Sequence, residues 1–248
     1  MVVLKNKSEL TQMQKAGKIT AGALAAGGEA VRPGVSTAEI DRVVHEYIVR
    51  HGAVPSFLGY GGFPASACIS VNDEVIHGIP GGRMLHEGDI VSIDVGAKID
   101  GYHGDSAYTF PCGTISREAQ ALLDATRLAL EHGIAAAKPG NRIGDIAAAV
   151  QGTVEPLGYS VVRDYVGHGV GRDLHEPPEV PNFGTAGHGI RLVPGMTIAI
   201  EPMINAGGVD IRVLSNDWTV VTVDGALSAH FEHTIAITPN GAVILTKL

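Results

Sequence analysis

The feature that most constrains this chain is that its first half recurs in its second. Arg32-Pro33-Gly34 followed by Ile40 returns as Lys138-Pro139-Gly140 followed by Ile146, an offset of 106 residues (32 to 138). Leu85-x-x-Gly88 leading into Ile93-Asp94 returns as Leu192-x-x-Gly195 leading into Ile200-Glu201, an offset of 107 (85 to 192). Pro-Gly is an ordinary helix stop and Gly before a strand an ordinary turn, so either match alone says little. Two agreeing offsets indicate a duplicated unit.

The element order supports the duplication. Ser8 is the expected cap of a helix running to about Ala30, with Leu10, Met13, Ala16, Ile19 and Ala23 on one face and Pro33-Gly34 beyond its end. Ser36 and Glu39 have capping-box spacing for a second helix, in which Ile40, Val43, Val44, Tyr47 and Ile48 recur before Gly52. Residues 53 to 66 read as an irregular loop, followed by strands at Cys68 to Val71, Ile90 to Val95 and Tyr102 to Phe110, with Asp100-Gly101 as a two-residue hairpin turn. Helical patterns return at about 116 to 137 and 142 to 157, ahead of β-rich sequence. The predicted class is α+β: two α/β halves, about 1–115 and 116–248, fused into a single domain spanning 1–248 and related by a pseudo-twofold axis.

That symmetry would bring carboxylates together. Asp94 lies inside the apolar strand IVSIDVG, where a charge is costly unless it is paired or bound to a metal. If Asp100-Gly101 is the turn, Gly96 faces Asp105; side chains alternate, so Asp94 and Asp105 become diagonal neighbours within ~7–8 Å on one face. Two like charges so placed call for a cation. Glu201 interrupts the run Met196 to Ile200, Glu232 heads the apolar strand Thr234 to Ile237, and His168 stands between glycines in Gly167-His168-Gly169-Val170-Gly171, a stretch suited to presenting an imidazole. The candidate set is Asp94, Asp105, His168, Glu201 and Glu232. Four carboxylates exceed what one divalent ion needs, and two ions with bridging carboxylates fit the charge better. Oxygen-rich ligation with one nitrogen suits Mn, Fe, Co or Zn. Spacing alone leaves open that these acids are separate ion pairs or solvated strand ends.

Other classes find little support. The charge of -8, from 18 basic and 26 acidic residues, comes without a Lys/Arg run, which speaks against nucleic acid as partner. There is no H-E-x-x-H, no phosphate-binding Walker loop and no G-x-S-x-G elbow. No apolar run approaches the ~18 residues of a membrane span. Two cysteines without C-x-x-C spacing fit a reducing compartment, and a cytoplasmic location is expected.

The residues also carry a resemblance that covers nearly the whole chain. Phe57-Leu58-Gly59-Tyr60, Cys68-Ile69-Ser70-Val71-Asn72, His77-Gly78-Ile79-Pro80, Asp94-Val95-Gly96, His103-Gly104-Asp105, Gly167-His168-Gly169-Val170-Gly171, His175-Glu176-Pro177-Pro178, Ile200-Glu201-Pro202 and Phe231-Glu232-His233-Thr234 resemble the motifs of the type I methionine aminopeptidases. The resemblance implies the pita-bread (creatinase/aminopeptidase) fold, with its two halves around an antiparallel sheet. It implies a dinuclear centre bridged by Asp105 and Glu232, with Asp94 completing one metal and His168 and Glu201 the other. The chain departs from common family residues at Phe57, Phe63 and Leu174. Because it starts almost at the first helix, neither a zinc-binding extension nor the separate N-terminal domain of aminopeptidase P and prolidase is expected. The long helical insertion of type II enzymes is missing between His175 and Glu201.

The implied chemistry is hydrolysis of the first peptide bond of proteins that begin with Met and have a small second residue. The metals would supply an activated water and polarise the scissile carbonyl, Glu201 would relay a proton, and His77 and His175 would steady the developing oxyanion. By the same resemblance Tyr60, Phe63, Cys68, Leu174 and Trp218 would form the Met pocket with His77 and His175; from pattern alone those aromatics read equally as core. Asn72 and Ser228 match positions near a monovalent cation. Nascent polypeptides are the implied partner, ribosome contact is left open, no membrane is involved, and a monomer is expected. His45, His51, His86, His132 and His188 read as structural, while His103 and His230, next to the site strands, are intermediate. The alternatives are an Xaa-Pro enzyme of the same fold and a non-catalytic, ribosome-associated binding protein.

Overall fold

The computed structural model describes residues 2–247; Met1 and Leu248, the limits of the expected domain, lie outside the described residues. Four helices occur among them. Helix α1 spans Lys7–Ala30 and α2 Thr37–Arg50. Helix α3 spans Arg117–Ala136 and α4 Ile143–Val154, with a short 3-10 turn at Glu155–Leu157. The α1 cap is Asn6, not Ser8. Asn6 Oδ1 accepts from the Ser8 and Glu9 N–H groups at 2.9 and 3.1 Å, and Glu9 accepts the Asn6 N–H at 2.9 Å, a reciprocal box that the spacing Asn6-x-x-Glu9 satisfies and Ser8 cannot. Ser36 caps α2 through the Glu39 N–H, whereas the Glu39 carboxylate turns outward to Arg42. The segment 53–66 is not wholly irregular, since Val54–Pro55 pairs with Ala97 and Lys98.

The duplication is visible in the hydrogen bonds. Gly34 N–H donates to the Leu85 carbonyl at 2.8 Å, and Gly140 N–H to that of Leu192 at 2.9 Å. Leu85 N–H returns to Val35 and Leu192 N–H to Asn141. Side-chain packing repeats as well. A Cβ on Gly27 would sit 2.9 Å from Val44 Cγ2 and 3.4 Å from Ile93 Cδ1; a Cβ on Gly133 would sit 2.9 Å from Val150 Cγ2 and 3.3 Å from Ile200 Cγ2. At both places a glycine lets a helix close onto the paired helix and the strand beneath without pushing their side chains aside.

The strand pairs among the described residues are antiparallel, and they divide into four sheets. Two sheets carry the site. In one, Ile90–Ile99 lies between Ala67–Val71 and Tyr102–Pro111. In the other, Thr197–Ile200 lies between His233–Thr238 and Gly167–Gly169, with Gly241–Ile244 and Glu176–Val180 at the edges. Strand alternation then sorts the residues. Val91, Ile93 and Val95 enter the core shared with Ile40 and Val44 of α2, while Ile198 and Ile200 enter the core shared with Ile146 and Val150 of α4. Asp94 and Glu201, one residue out of phase, face the space between the halves. No helix among the described residues is long and apolar enough to cross a membrane.

Candidate metal centre

The hairpin places the first two acids. Asp100 and Gly101 both have positive φ, 51° and 82°, as a tight two-residue turn requires. The register runs from Ile99↔Tyr102 to Gly96↔Asp105 and Asp94↔Ala107, so Asp94 and Asp105 are diagonal neighbours on one face. Asp105 N–H donates to Thr234 Oγ1 at 3.0 Å, and Glu232 N–H donates to the Ala107 carbonyl at 2.9 Å. These bonds stitch the two halves and set Asp105 and Glu232 side by side.

His168 arrives from the other side. Its strand is squeezed between two others: a Cβ at Gly167 would lie 2.4 Å from the Ala199 carbonyl oxygen, and one at Gly169 2.4 Å from that of Pro177. The His168 Nδ1–H donates to the Gly169 carbonyl at 2.9 Å, which leaves the Nε2 lone pair directed at the acids. Nε2 is 3.4 Å from Glu201 Oε1 and 3.7 Å from Asp105 Oδ2. Ligand atoms of Asp105, His168 and Glu232 lie within 4.8 Å of one another, close enough to share one ion.

The electrostatics of this cluster point to cations. Asp105 and Glu232 are 3% and 2% exposed. Asp94 Oδ1, Asp105 Oδ1 and Glu232 Oε1 are buried without a hydrogen-bond partner. Burial pushes the Asp94 carboxyl up to about 7 and Glu201 to about 8. Burial, followed by the neighbouring carboxylates, pushes Asp105 and Glu232 well above their ordinary range. Burial also holds His168 neutral, down to about 3, leaving it able to ligate. Orphaned acid oxygens around a neutral, pre-oriented imidazole nitrogen form a donor set that fits divalent metal ions.

A cavity of about 340 Å³ opens over the cluster. Its walls include Asp94, Asp105, His168, Glu201 and Glu232 together with Tyr60, Phe63, Cys68, His77, Leu174, His175 and Trp218, so every residue expected in the metal and pocket sets meets in one space. Phe57, Phe63, Cys68 and Leu174 form a buried apolar cluster against which Trp218 packs, its ring edge-on to Phe63 at 5.1 Å. Burial and the nearby Asp94 carboxylate raise the Cys68 thiol well above its ordinary range, as suits a small apolar filler. His77 holds a left-handed backbone (φ 57°), and its ring packs edge-on to Tyr165 at 5.6 Å. Such strain is common where a side chain must be aimed. The His175 Nδ1 lies 2.7 Å from the Tyr60 hydroxyl, and its ring centroid 4.1 Å from that of His168.

Among the wall residues that sequence reasoning missed are the polar Tyr165 and Glu179. Neither sits in a periodic pattern; their only signal is nearness in sequence to His168 and His175. His45 bonds Ser66 and His132 bonds Thr153, both away from the cavity, and His103 is committed to Ser56 at 2.8 Å. Asn72 and Ser228 meet through Ser228 N–H donating to the Asn72 carbonyl at 2.9 Å, outside the cavity wall.

A doubled antiparallel fold with acids and a histidine converging between its halves defines a metal-dependent hydrolase of the pita-bread class. Residues 11–239 match the model of metallopeptidase family M24. The chain is 52% identical over 248 residues to methionine aminopeptidase 1 of Bacillus subtilis, covering 100% of both chains, and 53% identical to a methionine aminopeptidase of Clostridium acetobutylicum, covering 99% of both. Among solved structures it is similar to a methionine aminopeptidase from Thermotoga maritima, with a TM-score of 0.99, 48% identity and complete coverage of both chains. It is similar to the prolidase of Pyrococcus furiosus with a TM-score of 0.82 and 25% identity, spanning 66% of that longer chain. The chain belongs to the type I methionine aminopeptidases of metallopeptidase family M24.

Proposed function

We propose that this chain removes the N-terminal methionine from nascent proteins and peptides, favouring a small second residue. One catalytic domain, built from halves of about 1–115 and 116–248, carries the site. The observation that carries the reading is the set of orphaned, buried acid oxygens around His168 at the floor of an apolar, aromatic cavity.

Asp105 and Glu232 would bridge two divalent ions, with Asp94 completing one and His168 and Glu201 the other. When bound, the ions supply a hydroxide equivalent near neutral pH and polarise the scissile carbonyl. Glu201, a carboxylate in the cavity wall beside His168, carries the water's proton to the leaving amine. Tyr60, by donating to His175 Nδ1, leaves the opposite ring nitrogen of His175 as a donor toward the substrate. His77, held neutral at about 4 by burial, donates from the other wall. Each such donor is worth ~2.7–4 kcal/mol when it meets developing negative charge. Phe63, Cys68, Leu174 and Trp218 take the Met side chain, whose thioether suits aromatic and sulfur contacts.

Co, Mn, Fe and Zn all suit this donor set. The reading keeps a monovalent cation near Asn72 and Ser228, a cytoplasmic location, a monomer, and contact with the ribosome as the place where nascent chains are met. The test is hydrolysis of Met-Ala-Ser beside Ala-Pro-Ala, with and without chelator. Chelator-sensitive release of Met from the first peptide supports the reading. Preference for the second would make the chain an Xaa-Pro enzyme, and no hydrolysis of either by metal-loaded protein would make it a binding protein.

A further inference from the structure

His230 has no part in the chemistry above, yet it is built into the floor of the cluster. It is 2% exposed, and its Nε2 is a buried atom without a hydrogen-bond partner. Its backbone is clamped: His230 N–H donates to Thr109 Oγ1 at 2.9 Å, and its carbonyl lies 2.9 Å from the same hydroxyl. In the ladder with Met203–Asn205 it stands opposite Met203, two residues beyond Glu201. The imidazole is therefore aimed by the sheet.

What it meets is one oxygen of Glu201. His230 Nε2 is 3.6 Å from Glu201 Oε2, while Oε1 of the same carboxylate is 3.4 Å from His168 Nε2. Because His168 uses Nδ1–H on the Gly169 carbonyl, the His168 side of Glu201 is the side a metal would occupy. The two carboxylate oxygens thus face two imidazoles with different tasks. Among the described residues, Glu201 is the acid that approaches His230 within 4.0 Å. A small side-chain adjustment brings 3.6 Å into the hydrogen-bond range.

We propose that His230 is a positioning residue: its Nε2–H donates to Glu201 Oε2 and holds Oε1 toward the metal. The inference rests on the reading of Glu201 as a metal ligand. It also answers a buried orphan donor with the nearest orphan-rich acceptor cluster.

The test is calorimetric titration of the metal-free protein with Co(II) at one pH, for the unaltered chain, His230→Leu and His230→Gln. Leucine removes the donor at similar volume, whereas the glutamine amide can restore it. His230→Leu is expected to weaken Co(II) binding ~10–100-fold, the usual cost of losing an outer-shell partner, and His230→Gln to recover most of that loss. In a Glu201→Gln background, His230→Leu should add little, since its target is already altered. A merely structural role would lower the thermal midpoint without glutamine rescue or this coupling. The proposal is overturned by His230→Leu protein that binds Co(II) as tightly as the unaltered chain. It is overturned equally by folded His230→Gln protein as weak as His230→Leu, or by a Co-loaded crystal in which His230 Nε2 bonds the ion. Unaltered protein that binds Co(II) but fails to release Met would defeat the proposed function while leaving the comparison of affinities readable.

Discussion

Removing metal from this protein should make its stability fall as pH rises above about 7.5. In the metal-free chain, burial raises Asp94 to about 7 and Glu201 to about 8, so the folded state holds protons that the unfolded chain has already released. Acids raised in this way favour folding at lower pH and lose that contribution as pH climbs through the folded values. Histidines act in the opposite sense: His77, His103 and His233, lowered to about 4, His168, lowered to about 3, and His175 and His230, lowered as well, all chiefly by burial, penalise the fold below the ordinary histidine range. Above about pH 7.5 the histidines are neutral in both states, and the acids stand alone. From about pH 7.5 to 9 the loss from Glu201 and Asp94 integrates to about 1 kcal/mol, with Asp105 and Glu232 adding in the same direction. For a chain of this length that is roughly 2–4 °C in thermal midpoint. Urea unfolding at a series of pH values, in the presence of chelator, measures it directly. Metal-loaded protein, whose carboxylates are already ionised, should show a flat profile. A metal-free profile that is flat or rises over the same window would refute the reasoning, because the acids would then not be crowded and dry.

Three further predictions follow from particular contacts. Isothermal titration of metal-free protein at pH 7 in buffers of different ionisation enthalpy should show more than about one proton displaced per chain loaded, the number falling as pH rises; no displacement would mean the acids are already ionised. Gly167→Ala would drive a Cβ to 2.4 Å from the Ala199 carbonyl oxygen, so it should weaken both metal binding and folding, and a variant with unchanged Co(II) affinity would show that the His168 strand tolerates movement. Lys5 and Glu176 form an ion pair with side chains 3% and 7% exposed, and Glu176 also accepts the Arg172 N–H beside the His175 loop. Lys5→Met should therefore cost about 3–5 kcal/mol in urea unfolding, and adding Glu176→Gln should recover part of it; equal stability of the single and double variants would deny that the unpaired charge is the cause.

The parts of the molecule that can be read from the sequence are those where a local rule fixes a long-range result. Asp100-Gly101 allows a tight turn, the turn sets a ten-residue register, and the register alone makes Asp94 and Asp105 neighbours. The repeat offsets likewise anticipate paired bonds at Gly34 and Gly140 that lie far apart in sequence. The α1 cap escapes a sequence reading because Asn6 and Ser8 are both good capping types, and only the reciprocal bond from Glu9 distinguishes them. Tyr165 and Glu179 reach the cavity from irregular or edge segments whose course depends on packing by the other half, so no local pattern finds them. His230 is undecided from sequence for a related reason: its burial beside Glu201 arises from a sheet pairing, Met203 with His230, that nothing nearby in the chain announces.

The central claim is that Asp94, Asp105, His168, Glu201 and Glu232 together hold two divalent ions. Anomalous scattering from a crystal loaded with Mn(II) tests it most directly. The account predicts two peaks sharing Asp105 and Glu232, one completed by Asp94 and the other by His168 and Glu201. A single peak, or peaks that leave either bridging carboxylate untouched, would contradict it.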